Sequence, residues 1–260
     1  MAYWFDRIRD TNEVLYTKSV EECGQHLAHY YRRAAKRVRS EIEILLTEIE
    51  RDLVNDTFLI SDLYRYDRYF ILMNTLNQHL TSLGFQEIKI DKKYIKRLYE
   101  LTEANVENFT PFPTFQTFGS ADAILNTVWC ADGKLWSDRI WDNKRLLQSR
   151  LEEALVDGIV RGKPRDRIVK NVMNTFNVGF NDANRIIRTE LTFAQTQACA
   201  DRYKSAGIKK YKYLAEIDKR TSEICQELDG QEFYFSDAVV GENMPPCHPN
   251  CRSTIIPVLE

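Results

Sequence analysis

The chain of 260 residues carries 36 Lys and Arg against 38 Asp and Glu, which gives a formal net charge of −2. This balance excludes a general polycation that coats nucleic acid, although a local basic face is compatible with it. The sequence opens without the apolar core of a signal peptide and holds no apolar run of membrane-spanning length. We therefore expect no membrane contact, and residence in the cytoplasm or delivery by a route other than a signal peptide. The 10 Gly and 7 Pro are few for this length, which favours a mostly helical fold.

Three helical patterns precede the middle of the chain. Apolar residues recur at three- and four-residue steps over residues 17–56, which predicts one long amphipathic helix. A second helix is predicted over residues 61–84, opened by a serine N-cap and closed at Gly84. A third pattern covers residues 91–109. We therefore expect a helical N-terminal domain over residues 1–110.

The first predicted helix carries a dense basic group, consisting of Arg32, Arg33, Lys36, Arg37 and Arg39. Glutamates follow one turn later, and pairs such as Arg37 with Glu41 would make this group an ordinary solvated face. The same group is also suited to contact the phosphates of double-stranded DNA. Both interpretations remain open from the sequence, and these five residues are the candidate DNA contact.

An irregular stretch and three further helices follow. Residues 111–142 combine prolines and glycines with many aromatic side chains, which predicts a structured connector rather than a disordered linker. Helices are then predicted over residues 143–161, over residues 165–178 with an end at Gly179, and over residues 181–207.

The periodicity changes near the C-terminus. Residues 209–217 alternate polar and apolar side chains, which predicts a strand, and residues 231–235 and 252–260 predict two more. The fold class is therefore α+β, with a mostly helical N-terminal region followed by a smaller C-terminal domain over residues 143–260. That domain is expected to combine helices with an antiparallel hairpin.

The side chains that could bind a metal lie in the last part of the chain, namely Cys225, Cys247, His248 and Cys251. Thiolates and imidazoles on short turns are the ligands of structural zinc sites. Because adjacent Cys247 and His248 point in different directions, three ligands are expected and a fourth is not evident. Zinc is thus the one candidate cofactor, and a metal-free loop fixed by prolines remains the alternative. A Cys-His catalytic centre lacks an orienting group and an oxyanion-hole motif in this sequence.

Several motifs occur in order along the C-terminal part: Arg188, Thr189 and Glu190; then Asp218, Arg220 and Thr221; then Asp229 and Gly230; then His248, Pro249, Cys251 and Arg252. Locally, the aspartates and Gly230 suit turns and caps, which are architectural roles. In this order the motifs resemble the C-terminal domain of the phage head morphogenesis family, the Mu F-like minor capsid proteins. The resemblance covers roughly residues 143–260. Members of that family often carry cysteine where this chain has Ser222 and Ser253, so a four-thiolate zinc site cannot form here.

The resemblance implies a non-enzymatic minor capsid protein of a tailed phage. It implies binding to the portal protein inside the head, contact with packaged DNA during assembly or genome exit, and scaffold or major capsid protein as further candidate partners. The expected location is the capsid interior near the portal, and the host cytoplasm during assembly. Some Mu F-like domains are joined to toxin enzymes, but because the chain ends with this domain we expect no added enzymatic domain. The alternative function is a metal-dependent nuclease or hydrolase that uses the C-terminal Cys/His cluster.

Overall fold

The computed structural model describes residues 2–52, 67–109 and 119–259. Within these ranges the chain forms six α-helices, one 3-10 helix over Phe235–Asp237 and three β-strands, which confirms the predicted α+β class. The helices are α1 (Ala2–Asp52), α2 (Asp67–Phe109), α3 (Ala121–Leu125), α4 (Trp136–Val160), α5 (Arg165–Ser205) and α6 (Glu223–Leu228), and the strands are β1 (Lys210–Leu214), β2 (Glu232–Tyr234) and β3 (Thr254–Val258). In the described part of the chain, no helix has both the length and the apolar character needed to cross a membrane.

The predicted helix ends at Gly84 and Gly179 are wrong, because α2 and α5 continue through these glycines. A Cβ atom built at Gly84 would lie 2.6 Å from the ring of Trp141, and one at Gly179 would lie 2.8 Å from Leu147. Both glycines therefore allow a large side chain to approach the helix backbone closely. This packing offsets the cost of about 1 kcal/mol that glycine carries inside a helix.

The other helix bounds differ from the sequence pattern in smaller ways. α1 starts at Ala2 and α4 at Trp136, in both cases before the first residue of the predicted helix. The short helix α3 lies within residues 111–142, the stretch predicted as a connector. The predicted N-cap Ser61 and the predicted helix end at Asp56 lie outside the described residues.

The chain divides into two compact units, each assembled from separate parts of the sequence. The sheet unit consists of Met1–Gly24, Ile90–Asp138 and Arg185–Glu260, and the helical unit consists of Gln25–Lys89 and Arg139–Asn184. The division into three domains stays a prediction, with bounds at residues 1–110, 111–142 and 143–260.

The sheet unit holds an antiparallel sheet with the strand order β2-β1-β3. Tyr211 and Tyr213 of the central strand β1 are fully buried, as the alternating pattern predicts. Tyr211 belongs to the larger hydrophobic cluster with Ile255 of β3. Tyr213 packs in a separate small cluster with Cys225 and Cys251. The alternation of β1 thus places Tyr213 beside the candidate metal ligands.

The helical unit buries an ion pair between α2 and α4. Lys144 Nζ lies 2.6 Å from Glu87 Oε2, and the two side chains are 4% and 0% exposed. Tyr31 of α1 donates a hydrogen bond to the same carboxylate oxygen at 3.0 Å. Lys and Glu are rarely buried unless they are paired in this way. The apolar periodicity of the sequence gives no signal of this pair.

Candidate metal centre

Three potential metal ligands converge in the sheet unit. The ligand atoms of Cys225, His248 and Cys251 all lie within 4.8 Å of one another. Cys225 Sγ is 3.2 Å from His248 Nε2 and 3.8 Å from Cys251 Sγ. Both cysteines are buried and His248 is half-buried. The structure therefore brings together three of the four ligands considered from the sequence.

Cys225 lies in the first turn of α6, where several groups favour its thiolate form. Ser222 caps the helix by accepting a hydrogen bond from the backbone N–H of Cys225. The hydrogen bond with Cys251, followed by those with Ser222, Ser253 and Tyr213, holds the pKa of the Cys225 thiol well below its usual value, although burial acts in the opposite direction. The hydrogen bond to Cys225 together with burial raises the pKa of Cys251. These hydrogen bonds favour the thiolate form of Cys225, which is the form that binds metals.

Helix α5 anchors the loop that carries the other two ligands. The backbone N–H of Cys251 donates to the carbonyl of His248 at 3.1 Å, which makes a tight turn. Asn250 within this turn adopts a left-handed φ of 60°, and its N–H donates to Thr189 Oγ1 at 3.0 Å. Thr192 Oγ1 donates to the carbonyl of Cys251 at 2.6 Å. These bonds connect the loop to α5.

The two ligand separations measured from Cys225 fit zinc. With Zn–S near 2.3 Å and Zn–N near 2.0–2.1 Å, tetrahedral angles place two sulfurs about 3.8 Å apart and a sulfur and a nitrogen about 3.5 Å apart. The observed separations from Cys225 Sγ, 3.8 Å to Cys251 and 3.2 Å to His248, are close to these values. His248 Nδ1 donates to the Pro249 carbonyl at 2.9 Å, and Nε2 of the same ring faces Cys225 Sγ. Zinc-binding histidines typically make such an outer hydrogen bond.

Cys247, the remaining predicted ligand, lies outside this group. Its thiol contacts the Tyr213 hydroxyl at 3.5 Å and the backbone carbonyls of Glu242 and Met244, each at 3.8 Å. Burial raises the pKa of Cys247, so this thiol keeps its proton. Its surroundings are those of a hydrogen-bonding thiol rather than of a metal ligand.

The two serines that replace cysteines of the resembling family both adjoin Cys225. Ser222 Oγ accepts from the backbone N–H of Cys225 at 3.4 Å, and buried Ser253 hydrogen-bonds to the Cys225 sulfur. A cysteine at either position would therefore place a further thiol beside the candidate site. In the described ranges, no other Cys, His, Asp or Glu joins these three residues as a fourth ligand.

The Asp218 motif forms a braced turn. Arg252 pairs with Glu216 at 2.5 Å and with Asp218 at 2.6 Å. Asp218 also accepts from the backbone N–H of Arg220 at 2.7 Å, and its own N–H donates to Thr221 Oγ1 at 2.7 Å. These bonds, led by the one from Arg252, lower the pKa of Asp218. The turn after β1 is therefore tied to the residue that leads into β3.

The remaining motif residues also hold backbone or side chains in position. Asp229 accepts at 2.8 Å from the first backbone N–H after β1. Gly230 has a φ of +77°, a region that favours glycine, and its N–H donates to the carbonyl of Tyr213 at 2.9 Å. Glu190 accepts from the indole of Trp129 at 3.0 Å. These contacts fit the architectural roles expected from the sequence.

The candidate DNA contact lies exposed on α1 in the helical unit. Arg39 pairs with Glu43 at 2.7 Å, as an ordinary solvated face would. Glu41, the suggested partner of Arg37, instead pairs with Arg68 of α2 at 3.1 Å. The interpretation as a self-neutralised surface therefore applies to Arg39 and does not extend to Arg37.

Four members of the basic group form no ion pair with any carboxylate that the structure describes, namely Arg32, Arg33, Lys36 and Arg37. Of these, Arg32 donates from Nε to the carbonyl of Ala28 at 3.1 Å. Arg33 and Arg37 line a small cavity of about 140 Å³ together with His79 of α2. Burial, assisted by Arg37, lowers the pKa of His79, which favours the neutral imidazole. The cavity offers guanidinium groups without a competing carboxylate in its lining.

Comparison with known proteins gives the family of the C-terminal region. Residues 149–256 match the family described as phage Mu protein F like, which confirms the resemblance drawn from the motifs. The chain is 24% identical to the NAD(+)--arginine ADP-ribosyltransferase EFV of Enterococcus faecalis, over 95% of the chain and 54% of that protein. It is 31% identical to an uncharacterized protein of Haemophilus influenzae, over 43% of the chain and 25% of that protein. The chain thus spans about half the length of the first relative and a quarter of the second. No solved structure matches it significantly.

Proposed function

We propose that this chain is a minor capsid protein of a tailed phage, acting in head morphogenesis from the capsid interior near the portal. The match of residues 149–256 to phage Mu protein F-like proteins is the observation that carries this proposal. The motif residues of this region make structural contacts, which supports an assembly role rather than catalysis. In this proposal the protein resides in the host cytoplasm while the head assembles.

The proposed principal partner is the portal protein, with scaffold and major capsid proteins as the competing candidates. The experiment is co-expression of the full, tagged chain with each of these three proteins in turn, followed by affinity capture. We expect the portal protein to be retained and the other two to wash away. Capture of the major capsid or scaffold protein without the portal would contradict this part of the proposal.

We further propose that packaged DNA contacts the basic group on α1. Arg33, Lys36 and Arg37 support this because their charges are not neutralised by described carboxylates. Release of condensed counterions from DNA gives such contacts their affinity, and it makes the binding strongly dependent on salt. The net charge of −2 restricts this contact to a local surface.

The DNA contact is tested with the triple variant Arg33→Gln, Lys36→Gln and Arg37→Gln. Loss of three phosphate contacts should reduce the slope of log K against log salt by up to about 2.7. A control variant with Lys92, Lys209 and Lys219 replaced by Gln removes the same charge from exposed positions elsewhere. Equal slopes for the wild type and the α1 variant, or an equal change in the control, would overturn the assignment.

Zinc would have a structural role in this proposal. Cys225, His248 and Cys251 would hold it, and the ion would supply a cross-link between α6 and the loop before β3. Because three side chains leave one coordination position open, as in catalytic zinc sites, a metal-dependent nuclease or hydrolase is the second candidate function. Nuclease assays with Mg²⁺, Mn²⁺ or Zn²⁺ on the wild type and on His248→Ala separate the two. Metal-dependent cleavage that disappears in His248→Ala would favour the enzyme.

The name of the Enterococcus relative calls for a separate assay. The chain spans 54% of that protein, and the match does not assign the named transferase activity to the shared part. We expect no transfer when the purified chain is incubated with labelled NAD⁺ and free arginine. Label on arginine at a rate proportional to protein concentration would contradict a purely structural role.

A further inference from the structure

The sheet unit contains a cavity that none of the roles above uses. Its volume is about 690 Å³, and it is lined by the first part of α1, by α5, by the turn after β1 and by the start of β3. Ligand sites usually occupy about 300–1,000 Å³. The cavity is thus large enough for several residues of an extended peptide.

The floor of this cavity is held by hydrogen bonds within the protein. Tyr16 of α1 donates to the carbonyl of Arg188 on α5 at 3.2 Å. Gln195 of α5 donates back to the carbonyl of Asn12 on α1 at 2.7 Å. A floor organised in this way requires little rearrangement on binding, which favours affinity.

The arginines of the lining differ in their partners. Arg252 and Arg220 pair with Asp218, and Arg9 pairs with Asp10. Arg188 pairs with no carboxylate in the described part of the chain, and its Nε atom is buried without a hydrogen-bond partner. This Nε atom is closed off from solvent, so a ligand in the cavity would meet the rest of the Arg188 guanidinium rather than Nε. The guanidinium fork fits a carboxylate or a phosphate in a bidentate manner.

The acidic residues of the lining decide which anion fits. Arg9, Arg188, Arg220 and Arg252 face Asp10, Glu13, Glu21 and Glu216, so the charges of the lining balance. Glu13 and Glu21 are exposed on α1 and form no ion pair among the described residues. A nucleic acid backbone, with a charge on every nucleotide, would be repelled by these carboxylates. A ligand with one carboxylate between cationic groups would match both Arg188 and the acidic rim.

We infer that this cavity binds a peptide segment of a protein partner in which an Asp or Glu is flanked by Lys or Arg. The ligand carboxylate receives hydrogen bonds from Arg188 at the floor. The flanking cations lie beside Glu13 and Glu21 at the rim. This site goes beyond the proposed capsid role, and it does not depend on whether the portal is the partner.

The probe is a fluorescent peptide of sequence Gly-Lys-Gly-Glu-Gly-Lys-Gly, titrated with the full chain and followed by anisotropy. A matched peptide carries Gln in place of Glu. We expect the Glu peptide to bind the wild type saturably. The dissociation constant should rise about tenfold or more when the Gln peptide replaces the Glu peptide, and also when Arg188→Gln replaces the wild type, since hydrogen bonds to charged groups are the strong ones. Lys219→Gln, which removes a positive charge outside the cavity, should bind like the wild type.

A second variant keeps the test decisive if Arg188→Gln does not fold. Glu13→Gln with Glu21→Gln alters exposed positions of α1 only. It should weaken binding of the Glu peptide several-fold, and it should not weaken binding of a peptide with Gly in place of both Lys, because the removed carboxylates repel that anionic peptide. The inference is overturned if no saturable binding occurs at millimolar peptide, or if folded Arg188→Gln binds as well as the wild type. Displacement of the peptide by duplex DNA from the wild type would identify a phosphate site instead, and would also overturn it.

Discussion

Replacement of Lys144 by methionine is expected to destabilise the helical unit, because it leaves the Glu87 carboxylate buried without its counter-charge. Removal of one partner of a buried pair typically costs about 3–5 kcal/mol. In the wild type, burial raises the pKa of Glu87 and Lys144 lowers it. The variant keeps the burial and loses Lys144, so the pKa of Glu87 should be higher in the variant than in the wild type. Among the residues that the structure describes, Glu87 Oε1 already lacks a hydrogen-bond partner, and in the variant only Tyr31 would remain bonded to the other oxygen.

Protonation of Glu87 limits this cost and makes it depend on pH. Neutralising a carboxyl with an unfolded-chain pKa near 4.3 costs about 3.7 kcal/mol at pH 7 and about 1 kcal/mol at pH 5, at about 1.36 kcal/mol per pH unit. A carboxyl pKa raised by folding means that the folded state binds more protons than the unfolded state. The variant therefore regains stability as the pH falls from 7 towards 5.

The measurement is the free energy of unfolding in urea for the wild type and Lys144→Met at pH 7 and pH 5. The double variant Glu87→Leu with Lys144→Met removes both charges, and it should lie close to the wild type at both pH values. Lys92→Met serves as the control for an exposed lysine. A loss below about 1 kcal/mol at pH 7, or a loss that does not change with pH, would refute the reasoning about a buried pair.

Three further predictions concern the metal ligands, the helix packing and the braced turn. Dialysed wild-type protein should retain about one zinc per chain by elemental analysis and Cys225→Ser far less, because a thiolate ligand is lost; a wild-type ratio near zero would contradict a tight site. Gly84→Ala should lower the free energy of unfolding by about 1–3 kcal/mol, since the new methyl group meets the ring of Trp141; an unchanged or higher value would contradict the close approach. Asp218→Asn should lower the melting temperature at pH 7, and the difference should narrow as the pH falls below about 4, because Arg252 lowers the pKa of Asp218 and that stabilisation is lost in acid; a difference that stays constant down to about pH 2 would contradict it.

The parts of the fold that the sequence predicts are those with a strong local signal. The alternation around Tyr211 and Tyr213 predicts β1, and burial of both side chains in the structure agrees with it. Glycine is a weaker signal, because its local preference favours a helix end while a distant partner can favour continuation. Trp141 lies 57 positions beyond Gly84 in the sequence, and this contact decides that α2 continues. No local pattern contains that information.

The sequence predicts which residue types form the candidate metal centre, but it does not predict which of the candidate side chains lie together. The sequence nominates Cys225, Cys247, His248 and Cys251, whereas the position of Cys247 outside the group depends on the path of the loop. Tyr213, which hydrogen-bonds to the sulfurs of Cys225 and Cys247, has no motif signal and becomes visible only through the packing of β1.

The cavity beside Arg188 shows the same limit. The sequence marks Arg188 as a motif residue, but its unsatisfied Nε and the acidic rim opposite arise from the packing of α1 on α5 within the sheet unit. Charges that are distant in sequence become a binding surface only when the fold places them together. For the same reason Glu41 pairs with Arg68, 27 positions away, rather than with a neighbour on its own helix.

The most direct test of the proposed function is the location of the chain in purified phage particles. Mass spectrometry of the particles establishes its presence, and a reconstruction of the portal vertex without imposed symmetry establishes its position. We expect the chain in few copies inside the capsid, in contact with the portal. Its absence from particles that contain portal and major capsid protein, or a position on the outer surface of the head, would contradict the proposal.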